Sequence, residues 1–160
     1  MANAVVVVGV DGTADSLAAL AAAAELGEES GSELVVVHVR RETWAVAVGD
    51  GQIGGLAAEF AVAGSLDAIE AMSRERSQDV LAERRVHWRF EVASGDPATA
   101  LIAAARRYAA RAIVVGGRTH GVVGGLVVGS VAQKLVRHSP ASVIVIRAGQ
   151  NPRLPVASTT

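Results

Sequence analysis

An α/β fold with a doubly wound, five-stranded parallel sheet is predicted by three observations. Val- and Ile-rich runs recur along the chain, most of them without polar alternation, as strands buried on both faces of a parallel sheet require. Segments with Ala and Leu at helical spacing separate them, which is the order of successive βαβ units. The 160 residues are 51% hydrophobic but only 3% aromatic, enough for one domain whose small core side chains let helices lie close on a sheet.

Residues 4–10 are the first apolar run. Residues 13–27 follow with Leu17, Leu20, Ala21 and Ala24 on one helical stripe; Thr13 or Asp15 is placed to cap its start and Gly27 or Gly31 to stop it. Residues 34–39 form a second buried strand, which closes a βαβ unit of right-handed crossover. From 40 to 64 the pattern dissolves into glycine-rich sequence around Trp44, a long excursion that is expected to be partly ordered at best.

Helical spacing returns over 66–84 through Ile69, Met72 and Val80. Val86, Trp88, Phe90 and Val92 then alternate with His87, Arg89 and Glu91, the period of a half-buried strand near a sheet edge. Asp96-Pro97 starts a helix for a physical reason, since Asp satisfies orphan N–H groups and Pro tolerates the first helical position. Leu101, Ala104, Ala105 and Tyr108 carry its apolar stripe to about 110. A strand over 112–115, a glycine-rich loop over 116–129, a helix over 130–137 and an apolar strand over 142–147 complete the domain. Residues 1–148 therefore read as one domain carrying a 40–65 excursion, and 149–160, with two prolines, as a disordered tail. The strand order expected is the flavodoxin-like one, with ligands bound at the carboxyl ends of the strands where the order reverses.

Composition narrows the function. Fifteen Lys and Arg against sixteen Asp and Glu leave a net charge of −1, so no overall field draws the chain to nucleic acid or anionic lipid. Zero cysteines exclude disulfides, a thiolate nucleophile and Cys-ligated metals. No apolar run approaches the roughly 20 residues of a membrane span, and the first ten lack the basic start of a signal peptide. A cytoplasmic location is expected, without membrane or nucleic-acid partners.

The loops after the first and fourth strands should flank the ligand crevice. The fourth is Val115-Gly116-Gly117-Arg118-Thr119-His120-Gly121, continuing through Gly124-Gly125 to Gly129-Ser130-Val131-Ala132. Glycines after a strand let backbone approach a phosphate, and the N–H groups of Ser130, Val131 and Ala132 at a helix start form an anion site. The Ser130 hydroxyl can donate to a phosphate oxygen or serve only as a cap. A Walker loop is excluded because the sole lysine, Lys134, lies inside the helix. A dinucleotide fingerprint is excluded because the first turn reads Gly9-Val10-Asp11-Gly12-Thr13. Asp11 can accept from a ribose hydroxyl or exocyclic amine, or serve as a turn or cap residue. Neither a pair of catalytic carboxylates nor a Ser/His/Asp triad emerges, so no catalytic residue and no metal ligand set is assigned.

These residues resemble the universal stress protein family. Its signature of Gly, two residues, Gly, nine residues and Gly-Ser/Thr places Gly116 and Gly129-Ser130 at the correct separation. Val10-Asp11-Gly12, His38-Val39, Gly95-Asp96-Pro97 and the run from Val131 to Pro140 resemble the family too, over roughly residues 4–147. The resemblance implies an adenine nucleotide alpha hydrolase-like fold and an ATP site, with or without Mg. Asp11 would accept from the nucleoside beside Val10, and Val39 would offer backbone to the adenine edge. Gly116 would pack near the ribose, while Gly129, Ser130, Val131 and Ala132 would hold phosphates; apart from the resemblance, the guanidinium of Arg118 can meet phosphate oxygens or simply be solvated. The resemblance further implies a homodimer through the strand 142–147 and a role in the stress response; slow hydrolysis at most follows from the residues themselves, since Asp11 has no evident second metal ligand beside it. The signature's middle glycine falls on Thr119, and the 40–65 excursion is long for the family. If these two features block the crevice, no nucleotide is bound and the chain is a dimeric interaction or signalling protein of the same fold.

Overall fold

In the computed structural model of the protein, which describes residues 4–41, 55–117 and 129–149, the apolar runs are strands: β1 (Val5–Val10), β2 (Glu33–Arg40), β3 (Trp88–Ser94), β4 (Ala112–Gly116) and β5 (Ser142–Ile146). Helices α1 (Ala14–Ser30), α2 (Gly55–Leu81), α3 (Pro97–Arg107) and α4 (Ser130–His138) run between them. Every strand pairing is parallel, and the order across the sheet is β3-β2-β1-β4-β5. The doubly wound five-stranded sheet is therefore as the sequence predicts.

The strand order itself is not the flavodoxin-like one. That order would seat β3 beside β1, where both faces are covered. The alternation of Trp88, Phe90 and Val92 with charged residues suits only an edge, and β3 lies at the edge, paired to β2 alone, with Val92 40% exposed. The winding reverses between β1 and β4, so the crevice opens above those two strands.

Two cores cover the two faces. Val6, Val8 and Val10 pack with Ala19, Leu20, Ala23 and Ala24 of α1 on one face, where Leu81 of α2 joins them. Val7 packs with Leu101 and Ala105 of α3 and with Leu135 of α4 on the other. Each fully buried Val or Leu contributes about 1.5–3 kcal/mol, and the fit depends on small partners, as the Val and Ala content anticipates.

The helix ends follow local chemistry. Thr13 caps α1 by accepting from Ser16 N, and the helix runs past Gly27 to stop at Gly31, whose backbone is left-handed. Asp96 caps α3 by accepting from Thr99 N, with Pro97 in the first turn. The start of α2 corrects the sequence reading: the helix begins at Gly55, within the expected excursion, and ends at Leu81. Residues 57–63 read AAEFAVA, a composition of strong helix formers, and Gly64 is accommodated on an open face with nothing within 4 Å of a Cβ. Residues 42–54 and 150–160, the rest of the excursion and nearly all of the tail, lie outside the described residues.

Candidate functional site

The loop after β1 is built by local hydrogen bonds. The chain turns at Gly12, whose φ of +78° suits glycine. Asp11 Oδ1 accepts from Thr13 N at 3.1 Å and from Thr13 Oγ1 at 2.5 Å, an Asx turn that leads into the helix cap. Ser16 Oγ accepts from Asp11 N at 3.2 Å and donates to Thr13 O at 3.0 Å. From α2, Arg76 Nη1 donates to Gly12 O at 2.7 Å, so the turn is fixed from outside as well.

The end of β4 meets this loop through Gly116. A Cβ there would lie 2.6 Å from the carbonyl carbon of Asp15 and 2.7 Å from Ser16 N, so only glycine lets β4 approach the first turn of α1. The carboxylate of Asp15 accepts from Ala148 N at 2.7 Å, and Gly117 N donates to Ile146 O at 2.7 Å. These bonds tie the chain after β5 to the same corner.

The start of α4 differs from one reading of the sequence. Gly129 occupies the cap position and no side chain caps the helix. Ser130 is the first helical residue, so its hydroxyl is not the cap. The first-turn N–H groups have no acceptor inside a helix. The helix is held instead from its middle, where Lys134 Nζ donates to Asp96 Oδ2 at 2.8 Å. That ammonium, followed by the Thr99 hydroxyl and N–H, holds the Asp96 carboxyl well below the usual carboxylate range. The sole lysine thus joins α4 to the capped start of α3.

The end of β2 is the fourth segment. Glu33 N donates to Ala4 O and Leu34 N to His87 O, so odd positions of β2 face β1 and even positions face β3. Val39 belongs to the first set, and the pairing with β1 ends at Val10 against His38, which directs the Val39 carbonyl past the end of β1. His38 is buried at 3% exposure, with Nδ1 3.2 Å from Val10 O and its ring stacked on Phe90. The sequence reading gave His38 no role. Its signal was present, as the one ionisable residue within the otherwise apolar run 34–39.

These four segments line a cleft of about 370 Å³. Val10, Asp11, Val39, Gly116, Gly129, Ser130, Val131 and Ala132 all line it. The structure therefore brings together every described residue of the predicted site. Arg118 and Thr119 lie outside the described residues. Leu66 and Ile69 of α2, Pro97 and Leu101 of α3, and Arg40 and Arg41 also line the cleft and were not anticipated. Chemically, the cleft offers helix N–H donors on one side, a carboxylate and a strand carbonyl on another, and apolar side walls. Among the described residues no group of three or more His, Asp or Glu is placed to hold a metal ion, and no helix is long and apolar enough to cross a membrane.

Comparison with solved structures returns the same architecture. The universal stress protein UspA from Lactobacillus plantarum superposes with a TM-score of 0.70 at 24% identity, covering 92% of this chain and 100% of its own. A universal stress protein in complex with cAMP gives 0.60 at 21% identity over 93% of this chain and 100% of its own. One from Archaeoglobus fulgidus in complex with dAMP gives 0.63 at 20% identity over 91% and 98%. No curated protein sequence matches the chain at a significant level. The sequence model described as "Universal stress protein family" matches residues 3–147, a span that includes all five strands and both loops flanking the cleft. The chain belongs to the universal stress protein family.

Proposed function

We propose that this chain is an ATP-binding module of the cytoplasmic stress response, with the nucleotide at the carboxyl ends of β1 and β4 and its bound state biasing conformation or partner choice. The observation that carries this reading is the convergence of the described site residues on one cleft at the reversal of the winding. Its volume of about 370 Å³ lies within the roughly 300–1,000 Å³ of small-molecule sites. The neighbours in complex with cAMP and dAMP support an adenine nucleotide in particular.

In this reading the Val39 carbonyl accepts from the adenine amine, with Val10 at the floor. Asp11, which lines the cleft, accepts from a ribose hydroxyl, as an ionised carboxylate does. Gly116 keeps the ribose end open while packing on α1. The N–H groups of Ser130, Val131 and Ala132, with the Ser130 hydroxyl and Gly129, hold phosphate oxygens, a role favoured by the helix dipole. Arg118 adds a guanidinium. Asp11 alone is a poor basis for metal-assisted hydrolysis, so turnover is slow at most. Mass spectrometry of purified protein tests the reading: a co-purified adenine nucleotide is expected, and its absence together with failure to load ATP would contradict it.

A second reading is favoured by Thr119, which stands where the family signature has glycine: a dimeric interaction protein that binds no ATP. Replacing Thr119 with Gly separates the two. A silent wild type and a binding variant favour the second reading; equal tight binding by both removes its motive. Either reading includes a homodimer through β5, an edge strand whose Val143, Ile144 and Val145 are only partly buried and whose outer edge invites a further strand. Sedimentation showing only monomer at micromolar concentration would contradict the dimer.

A further inference from the structure

The apolar wall that α2 gives the cleft is not held there by apolar burial. No residue from 64 to 72 is buried; from 64 onward the buried positions of α2 are Ser73, Ser77 and Leu81. Ile69, which lines the cleft, is 44% exposed. The segment 73–81 is packed, and the contacts described for 64–72 are made by charge. Arg40 Nε, at the end of β2, donates to Glu70 Oε2 at 2.6 Å, and Arg40 Nη2 donates to Asp67. Glu70 also accepts from Arg74 Nη2 at 3.3 Å, and the Arg74 guanidinium lies 4.3 Å above the Phe90 ring of β3. The Arg40 fork holds Glu70 in its ionised form, below the usual carboxylate range.

Leu66 and Ile69 sit on the same turns as Asp67 and Glu70, so the clasp that fixes the carboxylates also fixes these two side chains against the cleft. Opposite them lie Pro97 and Leu101 of α3, with Val39 between. Two apolar walls flanking a strand carbonyl form a slot for a flat heteroaromatic ring whose edge carries a donor.

We propose that Arg40 is a positioning residue: its bridge to Glu70 and Asp67 holds the 64–72 segment of α2 over the cleft, so that Leu66 and Ile69 form one wall of a nucleobase slot. This rests on the nucleotide reading above. A planar fork is needed because two carboxylates on successive turns are engaged at once, which an ammonium cannot do equally well.

The test uses the full chain and compares wild type, Arg40→Gln, Arg40→Lys and Glu70→Gln by titration with ATP and by hydrogen exchange. Arg40→Gln is expected to weaken ATP binding by about tenfold, the scale of one lost base-stacking wall. Arg40→Lys should recover part of that loss. Amides of 64–72 should exchange faster in the Gln variants while those of 73–81 stay protected. Glu70→Gln, which keeps Arg40, carries the test if Arg40→Gln unfolds the whole domain. Wild-type ATP affinity in the Gln variants, or unchanged exchange over 64–72, would overturn the inference alone. A wild type that binds no ATP overturns the nucleotide reading, and this inference with it.

Discussion

Gly116 lies against the first turn of α1 so closely that a Cβ would meet the backbone of Asp15 at 2.6 Å. The contact joins the last residue of β4 to the helix that follows β1, the two strands between which the winding reverses. The proposed nucleotide reading sets this glycine near the ribose, and packing alone also demands it.

Gly116→Ala is therefore expected to destabilise the fold even without ligand. Backbone must move to admit the methyl group, at a cost of about 1–3 kcal/mol. Chemical denaturation of the ligand-free protein measures it, and an unchanged midpoint would show that the two strand ends separate easily.

The Asp96 clasp makes a pH-dependent contribution with a definite sign. Its folded pKa is depressed, first by Lys134 and then by Thr99, so the stabilisation is present above the ordinary Asp pKa of about 3.9. It is lost as pH falls through that value toward the folded one. Asp96→Ala should cost about 1 kcal/mol at neutral pH through the lost cap. The difference between wild type and Asp96→Asn should shrink below about pH 4. A difference that grows on acidification would contradict the assignment.

Asp11 serves both the turn and the proposed nucleoside contact, and substitution separates the roles. Asp11→Ala should weaken ATP binding by about tenfold to a hundredfold, the cost of one charged hydrogen bond. Asp11→Asn, which keeps an acceptor for Thr13, should lose less. The thermal midpoint should change little in Asp11→Asn and fall in Asp11→Ala, which removes both bonds from Thr13. Titration of the variants decides it, and wild-type affinity in Asp11→Ala would confine Asp11 to the turn.

Much of this site is legible in sequence because it is local. The Asp96 cap is written in adjacent residues, and β1 and β4 announce themselves as unbroken apolar runs. Their loops carry the glycines and Asp11 at fixed offsets. The α2 start escaped notice because residues 55–64 begin and end on glycine and are apolar on nearly every side apart from Glu59, so no single stripe with a polar opposite face marks them as a helix. The role of Ser130 turned on a one-residue shift in where α4 begins. Arg40 and Glu70 are thirty residues apart, and nothing in either neighbourhood signals that they meet. The expected flavodoxin-like strand order failed for the same reason, since pairing is non-local, although the polar alternation of β3 already favoured an edge.

The most direct test of the nucleotide assignment is isothermal titration of nucleotide-stripped wild-type protein with Mg-ATP. Saturable heat, with an affinity at or below the high micromolar range, is the result expected for a cleft in which helix N–H groups, Asp11 and the Val39 carbonyl converge. No heat at high micromolar Mg-ATP would contradict it.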